Sequence, residues 1–125
     1  MKLISVLVKD QDKALKFYTE VLGFFKKTEI PMGEHRWLTV VSPEEQDGVE
    51  AVLEPMAFEP ARIYQKALFE AGIPLIVFHV ENIQKEFERL EKQNVKFSIT
   101  PTKMGPVTLA VFDDTCGNNI QMVQV

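Results

Sequence analysis

The sequence predicts an α+β fold, in which two βαβββ modules form a curved mixed sheet around a cleft. The first half of the chain reads as a strand, a helix and three strands, and the second half repeats that order after a connecting helix. A sheet covered by one helix buries only one face, so two such modules side by side are expected to give a curved sheet with a shared cleft. We place the modules at residues 1–54 and 74–125 of a single domain, joined by a linker helix over about 55–73.

The first strand and the first helix are indicated by their apolar patterns. The stretch "LISVLV" (residues 3–8) is rich in β-branched residues, which is typical of a strand. Helical spacing then relates Ala14, Leu15, Tyr18, Val21 and Leu22. Asp10 or Asp12 can cap the start of this helix, and Gly23 suits the left-handed position after its end.

Three further strands complete the first module. They are "FFKKTEI", which we expect to end at Pro31, followed by "RWLTVVS" and "VEAVLE". The segments between them, "PMGEH" and "PEEQDG", are rich in Gly, Pro and acidic residues, which favour a turn and a loop.

The linker helix and the second module follow the same logic. Pro60 suits the first turn of the linker helix and Gly72 its end, and Tyr64, Ala67, Leu68 and Ala71 lie along one side of it. The second module then reads as the strand "PLIVFHV", a helix capped by Asn82, and the strands "VKFSIT", "PVTLAVFDD" and "NIQMVQV". We predict a turn at "PTKMG", and inward-facing helix residues Ile83, Phe87 and Leu90.

Composition and charge exclude several classes of partner. The chain has 125 residues and a net charge of −4, with no basic stripe that would bind nucleic acid. The apolar run Leu3–Val8 is too short for a signal segment or a membrane span, and the second module's helix lacks the basic polar face of a membrane-surface helix. Cys116, the single cysteine, cannot form an internal disulfide, which favours a reducing compartment. We therefore expect a cytoplasmic protein.

Three stretches carry a resemblance to a known family: "VKDQDKALKFYTEVLGF", "FHVENIQKEFERLEKQNVKF" and "VFDDTCGNNIQMVQ". With them the whole chain resembles the glyoxalase / bleomycin resistance / extradiol dioxygenase superfamily, also called the vicinal oxygen chelate superfamily. The resemblance implies the fold of paired βαβββ modules and a homodimer. It does not imply one reaction, because the superfamily includes isomerases, epimerases, dioxygenases, thiol transferases and drug-binding proteins.

The resemblance also implies where a metal would be held. In metal-dependent members, His, Glu or Gln ligands come from four strands, and counting from the motifs places these positions at Leu3, Glu54, Leu75 and Gln121. Glu50 is a second possibility for the Glu54 position, because it lies on the same strand face. A leucine side chain has no donor atom, and the two remaining oxygen ligands make a poor divalent-metal site. We therefore expect no metal and no other cofactor, with a divalent metal as the alternative.

Strand alternation predicts which side chains line the cleft. The predicted cleft face contains Leu3, Ser5, Leu7, Glu50, Val52, Glu54, Leu75, Val77, His79, Asn119, Gln121 and Val123. Of these we select Ser5, Glu54, Val77, His79 and Gln121 as ligand-binding residues, with Arg36 and Trp37 at the mouth of the cleft. The opposing interpretation is a cleft filled by its own side chains.

Glu54 is the candidate catalytic residue, and no other catalytic residue can be assigned. An apolar wall would raise its pKa and make it a general base, whereas a carboxylate at a strand end before Pro55 would simply be solvated. His79 is either an acid–base group or a histidine hydrogen-bonded at a strand end. Cys116 lies in an acidic turn, which disfavours a reactive thiolate.

The sequence therefore leads to three hypotheses about function. The first is a metal-independent small-molecule binding protein. The second is a metal-dependent lyase, isomerase or dioxygenase of the same superfamily, in which Glu54 and Gln121 remain as site residues. The third is a protein whose cleft is closed and whose partner is another protein.

Overall fold

The computed structural model describes residues 2–125. Met1, the first residue of the predicted module 1–54, lies outside the described residues. The elements are β1 (Leu3–Val8), α1 (Gln11–Lys16) continued by a π-helical turn (Phe17–Val21), β2 (Phe25–Met32), β3 (His35–Val41), β4 (Glu50–Pro55), α2 (Glu59–Glu70), β5 (Ile76–His79), α3 (Ile83–Lys92), β6 (Phe97–Met104), β7 (Val107–Asp113) and β8 (Asn119–Gln124). The chain divides into two compact units, Met1–Arg62 and Ile63–Val125, with the boundary inside α2.

Each unit contains one four-stranded mixed sheet. The strand order is β1-β4-β3-β2 in the first unit and β5-β8-β7-β6 in the second. In both sheets the first strand runs parallel to the last, and the other neighbours are antiparallel. The predicted fold of two βαβββ modules is confirmed. The assignment of 55–73 to a linker between modules, and the arrangement around a cleft, stay predictions.

The core of the first unit lies between α1 and one face of its sheet. The apolar residues fully buried there are Val6, Val8, Ala14, Tyr18, Leu38, Val40 and Leu53. Asp10 is the N-cap of α1, because its carboxylate accepts hydrogen bonds from the backbone N–H groups of Asp12 and Lys13. Gly23 follows the helical segment with φ of +86°, a left-handed conformation that glycine adopts at no steric cost.

The core of the second unit lies between α3 and one face of the second sheet. Its buried apolar residues are Ile76, Ile83, Leu90, Ala110, Phe112, Ile120 and Met122. Phe97 packs edge-on against Phe87 of α3, with ring centroids 4.8 Å apart. Asn82 is the N-cap of α3, as predicted, and accepts a hydrogen bond from the Lys85 N–H.

Two strands extend beyond their predicted ends. β2 continues through Pro31, which pairs with Arg36, because β2 is an edge strand and proline needs no hydrogen-bonding partner on its outer side. The predicted turn "PTKMG" is wrong in most of its length, because β6 runs on to Met104 and the chain turns at Gly105. A bulge between Ile99 and Thr102 accommodates Pro101 in this edge strand.

The helix α2 departs from its predicted apolar stripe. Tyr64, which spacing places on the apolar side of the helix, is 56% exposed, and the buried residue of the helix is Gln65 at 2%. Burial of Gln65 is possible because its amide has hydrogen-bonding partners in the second unit. No helix within residues 2–125 has the length and apolar character needed to cross a bilayer.

Candidate functional site

The first sheet has one face that its own helix does not cover, here called the first open face. Strand register assigns to it Leu3, Ser5 and Leu7 of β1, Phe25, Thr28, Ile30 and Met32 of β2, His35, Trp37, Thr39 and Val41 of β3, and Glu50, Val52 and Glu54 of β4. Within the described residues, register assigns two carboxylates to this face and no lysine or arginine. Lys27, at the bulge of β2, is assigned to neither face, and its Nζ donates to the Gln46 carbonyl and pairs with Asp47.

Large apolar side chains on the first open face are exposed to solvent. Ile30 is 51% exposed, Met32 61% and Trp37 37%, and Ile30 lies directly opposite Trp37 across β2 and β3. A contiguous group of exposed apolar residues on a small protein marks a surface that binds something. The indole, with its large planar area, is the side chain on this face best suited to contact a flat ligand.

The two carboxylates of the first open face differ in their surroundings. Glu50 accepts a hydrogen bond of 2.8 Å from the fully buried Thr39 hydroxyl. Glu54, the candidate general base, is exposed, and no hydrogen bond or ion pair to its carboxylate is found among residues 2–125. The Glu54 side chain is therefore open to solvent.

A buried amide that the sequence did not reveal lies behind this face. Gln11, the first residue of α1, donates through Nε2 to the carbonyl oxygens of Arg36 (2.7 Å) and Leu53 (2.9 Å). Its Oε1 accepts from the Arg36 N–H at 3.1 Å. One carboxamide thus joins β3 to β4 where their direct pairing ends, and it sets the positions of the residues that follow, Trp37 and Glu54.

Arg36 points away from the first open face. It follows the opposite strand parity to Trp37, and its guanidinium donates to Asp12 (2.6 Å) and Glu29 (2.7 Å). The pKa of Glu29 is lowered by its hydrogen bond with Lys26 and the charge of Lys26, and further by Arg36. Arg36 and Trp37, predicted together at the mouth of a cleft, lie on opposite sides of the sheet, so the arginine is unsuited to bind a ligand beside the indole.

The second sheet has an equivalent uncovered face, here called the second open face. Its members by register are Val77, His79, Ile99, Thr102, Met104, Val107, Leu109, Val111, Asp113, Asn119, Gln121 and Val123. Gln121 is partly exposed between Val77 and Val111, and His79 lies opposite Val123. The predicted residues Val77, His79 and Gln121 therefore share one face, while Ser5 and Glu54 share the other; their contact with a ligand stays a prediction.

The turn between β7 and β8 is organised by a buried carboxylate. Asp114 is fully buried and accepts from the Cys116 N–H (2.7 Å), the Asn118 N–H (3.0 Å) and the Asn118 side-chain amide (2.8 Å). Gln65 donates to Asn118 Oδ1 and to the Cys116 carbonyl. Cys116 is itself buried, which protects its thiol from reagents.

The residues at the family's metal-ligand positions do not fit a divalent ion. In the first sheet Leu3 lies opposite Glu50, and Glu54 lies opposite Leu7. Leu3 and Glu54 are therefore separated by four residues along the strand direction, about 13 Å. In the second sheet Gln121 lies opposite Val77, and Leu75 has no donor atom in its side chain. Among residues 2–125, no three His, Cys, Asp or Glu side chains come together as a metal would require.

The sequence profile of the Glyoxalase/Bleomycin resistance protein/Dioxygenase superfamily matches residues 1–122. The chain belongs to this superfamily. Its relatives there include YurT of Bacillus subtilis (strain 168), with 56% identity over 126 residues and 99% of each chain covered.

Two solved structures of this kind resemble the chain closely enough to compare more than the fold. UcmS2 is 35% identical with a TM-score of 0.85, covering 98% of this chain and 96% of that one. TnmS3, an antibiotic binding protein from Streptomyces sp. CB03234, is 26% identical with a TM-score of 0.76, covering 99% of this chain and 93% of that one. The superfamily fold expected from the sequence is confirmed.

Proposed function

We propose that this chain is a metal-independent small-molecule binding protein that sequesters an apolar, partly aromatic compound of the antibiotic type. The observation that carries the proposal is the first open face, where Trp37, Ile30 and Met32 are exposed beside a few polar groups. A mixture of apolar surface and few polar groups is the usual make-up of a small-molecule site. The similarity to TnmS3, an antibiotic binding protein, supports the same class of ligand.

Apolar contact rather than metal coordination would supply the binding energy. Each 100 Å² of apolar surface removed from water contributes about 2.5 kcal/mol before the costs of association are subtracted. The alternative, a metal-dependent lyase, isomerase or dioxygenase, requires a metal to polarise adjacent oxygens of the substrate. Leucine at two of the four ligand positions, Leu3 and Leu75, argues against that alternative.

Trp37 offers a direct test of ligand binding, because it is the single tryptophan of the chain. Titration with bleomycin, doxorubicin and N-acetyldoxorubicin is expected to change the indole fluorescence saturably with at least one compound. That compound should also raise the melting temperature, since a ligand at 100 times its Kd adds about 2.7 kcal/mol to the free energy of unfolding. Free N-acetyltryptophanamide, titrated in parallel, corrects for light absorbed by the ligand.

The Trp37→Phe variant is the matched control for this titration. It should lose the fluorescence signal while keeping a ligand-induced thermal shift, because a phenyl ring preserves most of the apolar contact. Absence of both signals with all three compounds would contradict the proposed function.

Metal dependence is tested separately by elemental analysis of protein purified without a metal-affinity tag. We expect fewer than about 0.1 divalent ions per chain, and ligand binding that survives dialysis against a chelator. A near-stoichiometric metal that is lost in the Glu54→Ala variant would instead support the lyase, isomerase or dioxygenase alternative.

We also propose that the protein is a homodimer that uses neither nucleic acid nor a membrane as partner. Support comes from the superfamily to which the chain belongs and from exposed apolar residues such as Phe58 and Ile63. Light scattering after size-exclusion chromatography should give twice the mass of the chain, and a monomer mass at all concentrations would rule the dimer out.

A further inference from the structure

We propose that the first open face selects apolar ligands that carry a protonated amine, with Trp37 and Glu54 as the two groups that contact the cation. This inference rests on the proposed small-molecule binding function and specifies the chemistry of the ligand. It is argued within the first unit alone, from strand register, hydrogen bonding and the distribution of charge.

The strand register places the Trp37 indole and the Glu54 carboxylate at neighbouring positions on adjacent strands. Antiparallel pairing of β3 and β4 is recorded up to Thr39 opposite Val52, and continuing it by two residues places Trp37 opposite Glu54. Across the remaining neighbours, Trp37 lies opposite Ile30 and Glu54 lies opposite Leu7. The four side chains therefore form one row across the sheet, apolar at both ends, with an aromatic ring and a carboxylate at its centre.

Gln11 keeps the two central residues together beyond the end of the direct pairing. Its single amide nitrogen lies 2.7 Å from the Arg36 carbonyl oxygen and 2.9 Å from the Leu53 carbonyl oxygen. These carbonyls belong to the residues immediately before Trp37 and Glu54. Because one amide nitrogen binds a carbonyl of β3 and a carbonyl of β4, it limits how far these two strands can separate here. The indole of Trp37 and the carboxylate of Glu54 therefore stay within reach of one ligand group.

The charge of the face matches a cation. Among the described residues no lysine or arginine pairs with Glu54, because Arg36 lies on the opposite side, bound by Asp12 and Glu29, and Lys27 at the bulge of β2 binds Asp47. A carboxylate without an internal partner favours a positively charged ligand and disfavours an anionic one. The face of a tryptophan ring adds a further attraction for a cation within about 6 Å.

Glu50, the other carboxylate of this face, lacks the same surroundings. It lies four residues from Glu54, about 13 Å along the strand. Its neighbours across the sheet are Leu3 and Val41, and its carboxylate already accepts the Thr39 hydroxyl. Glu50 therefore serves as a matched internal control, with the same charge and the same face but no aromatic partner.

The ligand class follows from this row of side chains. A flat or compact apolar body would cover Ile30 and Met32, which are exposed beside the indole, and its amine would lie between Trp37 and Glu54. A primary, secondary or tertiary amine satisfies both contacts, because it is protonated near neutral pH and can donate a hydrogen bond to the carboxylate. Acetylation of that amine removes the charge while leaving the apolar body unchanged.

The test compares two matched pairs of probes by isothermal titration calorimetry. The pairs are doxorubicin with N-acetyldoxorubicin, and naphthylmethylamine with its N-acetyl derivative. For the unmodified protein we expect the amine of each pair that binds to have a Kd about tenfold lower than its acetylated partner, from one partly exposed ion pair and one cation–π contact. Binding of both amines should weaken as salt is raised.

Three variants assign the effect to its residues. Glu54→Gln should remove the preference for the amine without changing the affinity for the acetylated probe, whereas Glu50→Gln should retain the preference. Trp37→Leu should weaken both members of a pair and the amine more strongly. Because Glu54 and Trp37 are exposed, unchanged thermal unfolding of the free variants will exclude loss of folding as the cause.

The outcomes separate this inference from the proposed function. Equal binding of amine and acetylated probe, or a preference that survives Glu54→Gln, overturns the amine site while leaving small-molecule binding intact. Failure of all four probes, together with the absence of fluorescence and thermal responses described above, overturns both.

Discussion

The two units share one topology but carry different chemistry on their open faces. The first open face has Glu50, Glu54 and the exposed Trp37, whereas the second has Asp113 as its carboxylate, Gln121 between Val77 and Val111, and His79 opposite Val123. Both faces follow from the same alternation of side chains along strands. The comparison shows that the repeated βαβββ pattern fixes where polar groups are presented, while single residues decide which ligands each face would attract.

The units differ again in the connection between their last two strands. In the first unit residues 42–49 form a loop with exposed hydrogen bonds, such as that from the Glu44 N–H to the Ser42 hydroxyl. In the second unit residues 114–118 close around the fully buried Asp114. A corresponding position in a repeated fold is thus stabilised by a buried carboxylate in one copy and solvated in the other.

Replacement of Asp114 is expected to have the largest effect on stability. Asp114→Ala removes the acceptor for three buried donors, two backbone N–H groups and one amide. Because buried donors left unsatisfied are costly, we expect a loss of about 3 kcal/mol in the free energy of unfolding, measured by urea denaturation.

The matched control in the first unit is Ser42→Ala, which removes one exposed acceptor 3.3 Å from its donor. A loss below about 0.5 kcal/mol is expected, as for most surface substitutions. Similar losses of unfolding free energy for Asp114→Ala and Ser42→Ala would show that the buried β7–β8 connection is no more important for stability than the solvated β3–β4 loop.

The two buried glutamines come next in expected effect. Gln11→Glu removes the donor for the Arg36 and Leu53 carbonyls, and Gln65→Glu removes the donor for the Cys116 carbonyl and Asn118 Oδ1. In each case a carboxylate then faces carbonyl oxygens, and we expect a destabilisation of about 2 kcal/mol by thermal and urea unfolding.

These two variants also sharpen the contrast between the units, because Gln11 lies directly behind Trp37 and Glu54. Gln11→Glu should shift the emission of Trp37, whereas Gln65→Glu should leave it unchanged at the same extent of folding. An unchanged emission in both would contradict the role given to Gln11 in placing the indole.

The N-caps of α1 and α3 allow a further comparison of the two units, with a smaller expected effect on stability. Asp10 accepts from two backbone N–H groups at the start of α1, and Asn82 accepts from one at the start of α3. We expect Asp10→Ala and Asn82→Ala each to cost about 1 kcal/mol, with the larger loss for Asp10→Ala. The reverse order in urea denaturation would show that the cap of the second unit is the stronger one.

The smallest expected effect is a pH dependence of stability that arises from Glu29 in the first unit. The hydrogen bond and charge of Lys26, followed by those of Arg36, hold the pKa of Glu29 below its ordinary value of 4.5. A lowered pKa contributes stability that is present above the unfolded value and is lost as pH falls through the folded value. Glu29→Gln should therefore melt slightly below the unmodified protein near neutral pH.

The same comparison at a pH below the folded-state pKa of Glu29 supplies the check, because both forms are then uncharged at this position. The difference in melting temperature should vanish there. A difference that persists at low pH would mean that Glu29 stabilises the protein by some means other than its charge.

Local signals in the sequence were sufficient for most of the fold. Residue type and spacing indicate the bounds of the first strand, the caps Asp10 and Asn82, and the left-handed Gly23. The structure confirms each of these features. These features depend on neighbours within a few residues, which is why a single sequence is enough to find them.

The candidate site was predictable only in part. Register places Ser5, Glu54, Val77, His79 and Gln121 on the uncovered sheet faces, and their place in a cleft and their contact with a ligand stay predictions. Alternation already places Arg36 and Trp37 on opposite faces. What the sequence did not show is that the Arg36 guanidinium binds Asp12 and Glu29, because these partners come from a helix and a different strand. Counting along β4 could not decide whether Glu50 or Glu54 occupies the second ligand position that the resemblance implies. Only the pairing of β1 with β4 shows that Glu50 is the one that lies opposite Leu3.

The sequence by itself determined the repeated βαβββ order, because the periodicity of apolar residues can be read without coordinates. Tertiary structure alone decided that Gln11 and Gln65 are buried and that Asp114 organises a turn. A polar side chain is buried only when partners from distant segments satisfy its hydrogen bonds, and the partners of Gln11 are 25 and 42 residues away. No pattern within a short stretch of sequence contains that information.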